Sequence, residues 1–240
     1  MNKKGIFLPL LAIFAFLFTV IFLGIFYSDI IKDEQKNVGM FSTELINFYT
    51  EKENMVFSIQ ENAKLAACNA LQISLEKGLL NNPNCLVGNH MVWDFTPNCN
   101  PIFSEYFESE FKNNFKERVK TDYKYTFTLD YGNKIKIKAV ADSLTLQEMK
   151  EKMDITYKLN INFNTEINAD TTKIQEIIDE AYKLKTCLSS KSFEVCSQSS
   201  NLQCIQSDSL IKCNVQNIKN PCTNENIAFV FALKSSNQIS

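Results

Sequence analysis

Histidine is almost missing from this chain: His90 is the only one in 240 residues. Glycine is scarce as well, with six in all, and neither a glycine-rich phosphate loop nor a Gly-x-Ser-x-Gly turn can be found. The usual machinery of nucleophilic and acid–base catalysis is therefore absent, and no catalytic constellation or cofactor motif stands out. The chain reads as a non-enzyme. The cysteines include no Cys-x-x-Cys pair, which argues against zinc ribbons and thioredoxin-like redox sites. Arginine occurs once, at Arg118, and the net charge is -2, so no basic field invites nucleic acid. No asparagine is followed by x-Ser or x-Thr, so N-glycosylation is not expected.

What the chain does have begins at its start. Lys3 and Lys4 precede an uncharged stretch from Gly5 to Ser28 rich in Phe, Leu and Ile. At 1.5 Å per residue it reaches about 35 Å, against a hydrocarbon core of about 30 Å. A cleaved secretory peptide needs a shorter apolar core and small residues before the cut, and Phe22-Leu23-Gly24-Ile25-Phe26-Tyr27 are too bulky. The expectation is an uncleaved signal-anchor. Residues 1–4 are then cytoplasmic, 5–28 form one transmembrane helix with the lipid bilayer as partner, and everything beyond Asp29 lies outside the cytoplasm.

All eight cysteines lie beyond that segment: Cys68, Cys85, Cys99, Cys187, Cys196, Cys204, Cys213 and Cys222. An even count in an exported chain reads as a disulfide framework, whose full connectivity sequence cannot choose. One pair has a local signature. Pro83-Asn84-Cys85 and Pro97-Asn98-Cys99 echo each other in turn-rich settings. A Cys85–Cys99 bridge closes a loop of about 15 residues and adds on the order of 3 kcal/mol.

Residues 29–80 predict a long amphipathic helix. Phe41, Leu45, Phe48, Val56, Ile59, Ala63, Ala66, Ala70 and Ile73 fall on one stripe, Gly39 is a candidate kink, and Lys77-Gly78 supplies a stop. The stripe packs either on the domain's own sheet or, as a stalk, on other copies. Residues 81–101 read as a loop, in which His90, Met91, Trp93 and Phe95 form either a lid on the core or a displayed contact loop. An amphipathic helix follows at about Ile102–Val119, with Phe103, Phe107, Phe111 and Phe115 every four residues. Its off-stripe acids Glu105, Glu108 and Glu110 read as a solvated face.

The period then changes to two. Tyr123–Tyr131, Lys134–Ala141 and Asp154–Ile167 alternate apolar odd positions with polar even ones, as half-buried antiparallel strands do. Parity requires odd residues to face odd residues. A three-residue loop, Tyr131-Gly132-Asn133, meets this by pairing Leu129 with Ile135 and Asp130 with Lys134, with Asn133 left-handed. Residues 142–153 lean to strand. The alternating Asn160 to Asp170 lack the glycine of a calcium loop and are explained by a wet strand face. A helix over Asp170–Leu188, N-capped by Asp170, presents Ile174, Ile177, Ile178, Ala181, Tyr182 and Leu184 as its apolar face. Two closing strands lie at about Leu210–Val215 and Ile227–Leu233, the second apolar on both faces and so central or covered.

The fold class is thus α+β: an N-terminal transmembrane helix continuing into a long helix, then an antiparallel sheet of four to six strands packed on two to three helices, with a disulfide-rich end. The domain beyond the long helix covers 81–240. Met1-Asn2-Lys3-Lys4-Gly5, followed directly by the apolar run, resembles the class III leader of type IV prepilins and archaeal pilin-like surface proteins. The resemblance implies cleavage after Gly5, a long N-terminal helix with a sheet on its outer half, and self-association through residues 6–80. Leu10 stands at the fifth position after the glycine, where many pilins carry Glu. Two roles follow: a membrane-anchored extracytoplasmic structural or binding protein, or a pilin-like filament subunit. The sequence names no ligand.

Overall fold

The computed structural model describes the backbone of residues 7–80, 82–120, 124–142, 144–150, 153–207 and 210–234; side chains at 7–12, 29–41, 144–150, 153–155, 157 and 217 are not described. Lys3, Lys4 and Gly5, with the processing site they define, lie outside the described residues. The chain divides into two compact units, one ending at Asn54 and one beginning at Met55.

Helix α1, Phe7–Glu76, begins in the first unit and stays helical through Gly39, so the expected kink does not interrupt it. Its described side chains at 13–28 are all exposed, Phe14, Phe16, Phe18 and Phe22 among them. Among the described residues no helix is long and apolar enough to cross a membrane. The transmembrane expectation for 5–28 therefore draws no support from that criterion, which meets only part of the run. Further along, Leu45 is exposed and Phe48 is buried, with the Lys52 ammonium 5.1 Å from its ring centre.

The second unit opens with the end of α1. Ile59, Ala63, Ala66, Ala67, Ala70, Leu71 and Leu75 are buried there, so this part of the stripe packs on the domain's own core. Alanine at four of these positions lets the helix backbone come close to its neighbours. The stop falls where Lys77-Gly78 placed it. Gly78 has φ +64, and a Cβ there would sit 3.1 Å from the Val230 carbonyl oxygen. Both facts require glycine.

A single turn of 3-10 helix, Pro83–Cys85, leads to strands β1 (Leu86–Val87) and β2 (His90–Trp93). This corrects the loop reading of 81–101. The strand was hidden because it is four residues long and its partner, β10, lies near the other end of the chain. Helix α2 (Phe103–Arg118) is followed by β3 (Tyr125–Asp130), β4 (Ile135–Ala141), β5 (Leu144–Lys150), β6 (Met153–Leu159) and β7 (Phe163–Ile167). Then come α3 (Thr171–Leu188), α4 (Phe193–Gln198), β8 (Gln203–Ser207), β9 (Leu210–Lys219) and β10 (Asn226–Lys234).

The α+β class holds, but the single antiparallel sheet does not. Among the described residues the strands form a five-stranded sheet in the order β1-β2-β10-β9-β8, a three-stranded sheet β3-β4-β7 and a two-stranded ribbon β5-β6. The largest is mixed, since β2 runs parallel to β10. β10 is central, as its two-sided apolar pattern required, and Ile227, Phe229, Phe231 and Leu233 are buried. The expected strand 154–167 is two strands. β6 pairs with β5 and β7 with β4, and between them Asn162 Oδ1 accepts the Ala141 N–H at 3.1 Å. Parity ran through the break because Leu159, Ile161 and Phe163 are all buried. Of residues 142–153, Leu144–Lys150 and Met153 are strand, as the strand reading expects.

The β3–β4 hairpin keeps the odd-to-odd rule but shifts by two residues: Leu129 faces Ile137 and Asp130 faces Lys136. The wider turn has a cause. Gly132 carbonyl accepts both the Thr171 N–H at 2.9 Å and the Thr171 hydroxyl at 3.0 Å, tying the turn to the start of α3. Asn133 is not left-handed; among the described residues the non-glycine positions with positive φ are Leu79, Phe95 and Asn224.

The α2 stripe is core. Phe103, Phe107, Phe111 and Phe115 form a ladder with centroid steps of 5.5, 6.3 and 5.9 Å. Its rings meet Tyr131, Phe127, Tyr125 and Phe163 of the three-stranded sheet side. Each buried Phe contributes about 1.5–3 kcal/mol, and well-set ring pairs somewhat more. All eight cysteines are paired: Cys68–Cys222, Cys85–Cys99, Cys187–Cys196 and Cys204–Cys213. The pairing expected from the Pro-Asn-Cys echo is the one found.

Candidate functional site

The sequence offered one candidate contact loop, and the fold splits it. His90 and Met91 are half-buried in β2, with Met91 packed against the core. Trp93 is fully buried: its ring stacks on Phe231 at 3.8 Å with a 3° tilt, and its indole N–H donates to the Gly78 carbonyl at 2.7 Å. Phe95 goes the other way. It sits at φ +58, a conformation strained for a bulky side chain, and lines a groove of the second unit.

Several constraints hold Phe95 there. The Cys85–Cys99 bridge closes the segment, Asp94 N–H donates to the Cys99 carbonyl at 3.3 Å, and Asp94 Oδ1 accepts the Thr96 N–H at 2.9 Å. Behind Phe95 stands Trp93, edge-on at 6.2 Å; beside it Tyr182 is edge-on at 5.2 Å. The loop is thus anchored in the core by one ring and presents the next.

The groove has a volume of about 680 Å³ and four walls. The loop gives Phe95 and Asn100, and the first turn of α2 gives Phe103 and Ser104. Tyr131 and Gly132 come from the β3–β4 turn; Thr172, Gln175, Asp179 and Tyr182 come from α3. Helical spacing sets the last group on one side of α3. The Gln175 amide donates to Asp179 Oδ1 at 2.9 Å, which fixes both.

The electrostatics are simple. Among the described residues Asp179 is the one charged side chain in the lining. The Tyr131 phenol is pushed well above its usual range, first by burial and then by the Glu108 charge, and it donates to the Ser104 carbonyl at 3.2 Å. It is a fixed neutral donor, not an acid. Asp170 caps α3 by accepting the Thr172 N–H at 3.1 Å; the Thr172 hydroxyl, also bonded to it, holds its carboxyl below the usual range. Lys185, one turn beyond the groove, is lowered by burial, partly offset by the Asp94 charge, and donates to the Lys234 carbonyl at 2.8 Å.

Sequence reasoning missed Tyr182, Gln175, Asp179 and Asn100. Tyr182 was placed on the apolar face of its helix, but it is 55% exposed. Its helical spacing matches that of core residues, so no sequence signal separated it. Two of the acids of α2 are engaged in ion pairs: Glu108 with Lys112 at 2.7 Å and Glu110 with Lys77 at 3.6 Å. Among the described residues no three His, Cys, Asp or Glu side chains gather as a metal site. A smaller cleft beside α4 is lined by Glu180, whose carboxylate already accepts the Asn201 N–H. His90 borders a third, shallow recess with Lys212.

No family model matches this chain, and neither curated proteins nor solved structures give a match.

Proposed function

We propose that this protein is a membrane-anchored, extracytoplasmic binding or structural protein without a catalytic site. One observation carries the reading. Helix α1 passes without interruption from a segment whose apolar side chains are exposed, 13–28, to a segment whose apolar side chains are buried in a disulfide-closed core, 59–75. Exposed phenylalanines in such number need a non-aqueous surrounding, and lipid is the one that suits an uncharged helix. The lysines before the run place the N-terminus in the cytoplasm. Four disulfides suit an oxidising compartment on the other side. On intact cells a membrane-impermeant maleimide should label a cysteine introduced at Ser236 and miss one at Asn2. The reverse pattern refutes the topology.

A second reading has its own support. Beyond the apolar run α1 keeps exposed large apolar residues, Ile46 and Tyr49 in the first unit and Phe57 and Leu65 in the second. Solvent is a poor partner for them, and packing between copies through residues 6–80 accounts for them. This is the arrangement of a pilin-like filament subunit processed after Gly5. N-terminal sequencing of protein sheared from cells should then begin at Ile6. A blocked or Met1 terminus, with nothing released by shear, rejects it.

A further inference from the structure

Building on the binding reading above, we propose that the groove between the Cys85–Cys99 loop and α3 is a binding site for an uncharged saccharide. Its volume of about 680 Å³ falls within the roughly 300–1,000 Å³ of ligand clefts. Its chemistry narrows the ligand by elimination. Among the described residues the lining has no cation, so phosphates, sulfates and acidic peptides find no side-chain charge there to pair with. None of its residues belongs to a strand, so an extended peptide has no edge to add to. A lipid chain would desolvate the Asp179 carboxylate and the Asn100 amide while giving them no new hydrogen bond, with only the Gln175–Asp179 bond left to offset the cost.

A saccharide satisfies both halves of the lining. Sugar rings carry an apolar C–H face and a rim of hydroxyls. Phe95, Tyr131 and Tyr182 offer ring surface to the first. Asp179, Gln175 and Asn100 offer acceptors and donors to the second. The site is also rigid before any ligand arrives. The disulfide and the Asp94 turn fix Phe95 at its strained φ, the Gln175–Asp179 bond fixes the polar pair, and Gly132 is tied to Thr171. Strain retained at a half-buried aromatic that lines a groove is what preorganisation for a ligand looks like, and it lowers the ordering cost of binding.

Trp93 provides a reporter, since it is the only tryptophan and it touches Phe95. The full chain is placed in lipid nanodiscs, which avoids sugar-headed detergents. It is titrated with maltotriose, cellotriose, chitotriose and mannotriose while Trp93 emission and saturation-transfer NMR of the sugars are followed. We expect saturable binding of at least one trimer. Phe95→Leu and Tyr182→Ala should each weaken it about fivefold to tenfold, as loss of ring contacts of about 1–1.5 kcal/mol gives. Asp179→Asn should weaken it as well, and Val195→Ala, an exposed apolar residue outside the groove lining, should not. Three outcomes overturn the proposal: no saturable binding across the panel, binding that survives Phe95→Leu and Tyr182→Ala unchanged in protein with wild-type thermal midpoints, or tighter binding of glucuronic acid oligomers than of neutral ones. None of these touches the maleimide labelling pattern, so failure here and failure of the membrane-anchored reading are separable.

Discussion

Removing the Cys68–Cys222 bridge should cost more stability than removing any other disulfide. The bond joins α1 to the turn between β9 and β10, across a sequence separation of 154 residues. In the chain-entropy view a crosslink stabilises by restricting the unfolded ensemble, with an entropy term of about 2.1 + 1.5R ln n cal/mol/K. For a loop of this length that is about 5 kcal/mol at 25 °C, against about 2.7 kcal/mol for each of the short loops closed by Cys187–Cys196 and Cys204–Cys213. The other three bridges lie inside the long loop and shortcut part of it. Because the dependence is logarithmic, they reduce the figure by only about 0.2 kcal/mol. Native contacts soften the loss, since the Asn220 amide still donates to Gln72 Oε1 at 3.1 Å beside the bridge. The assay is guanidinium unfolding of the full chain in nanodiscs, followed by Trp93 emission, comparing Cys68→Ala/Cys222→Ala with Cys187→Ala/Cys196→Ala. A long-bridge loss equal to or smaller than the short-bridge loss would refute the entropic argument. It would mean that the end of α1 stays docked in the unfolded ensemble.

Trp93→Ala should destabilise the domain by about 3–5 kcal/mol, because it empties a fully buried site and leaves the Gly78 carbonyl without its donor; far-UV circular dichroism melts would show it, and a loss below about 1 kcal/mol would contradict the stacked, buried placement. Glu166 has its carboxyl held below the usual range, first by the hydrogen bond from Lys134 and then by that ammonium's charge. Its folded pKa lies below the unfolded one, so the contribution is present above the ordinary carboxylate range and is lost as pH falls through the lowered value. Glu166→Gln should therefore flatten the acid side of the melting-temperature profile without moving the neutral side, and an unchanged acid slope would show that the pair is dissolved in solution.

Local periodicity carried most of the elements to the page. Phenylalanine every four residues in α2 and strict alternation in β3 and β4 are short-range signals, and burial of one face makes them binding constraints. Asp170 capped α3 as read, because a capping bond involves only neighbours. What was illegible is non-local. β2 is a strand only because Val92 and Trp93 lie beside Ala232 and Leu233. β8 is an exposed edge in which Cys204 faces Cys213, and its polar sequence carries no alternation that a core would impose. The hairpin register differs by two residues, and its turn is held by Thr171, far away in sequence, through the Gly132 carbonyl.

The same distinction explains why the aromatic loop was legible but the parting of its rings was not. The sequence showed one interval closed by a bridge and rich in aromatics, open to reading as a lid or a display. In the structure its rings part at a single point. Trp93 fills the lid's role because β2 carries it into the sheet against Phe231. Two residues later the backbone turns left-handed at Phe95, the direction of the side chain changes, and the ring packs at the edge of the core where it lines the groove. Alternation along a strand would have kept residues 93 and 95 on one face. The positive φ breaks that rule, at a cost that a bulky residue incurs only where the surrounding bonds hold it. If the groove binds nothing, Phe95→Gly should stabilise the loop by relieving the strain. If Phe95 is kept for a ligand, the same change should raise or preserve the melting temperature while abolishing the sugar-dependent Trp93 response, and that pairing of gain with loss is the signature to look for.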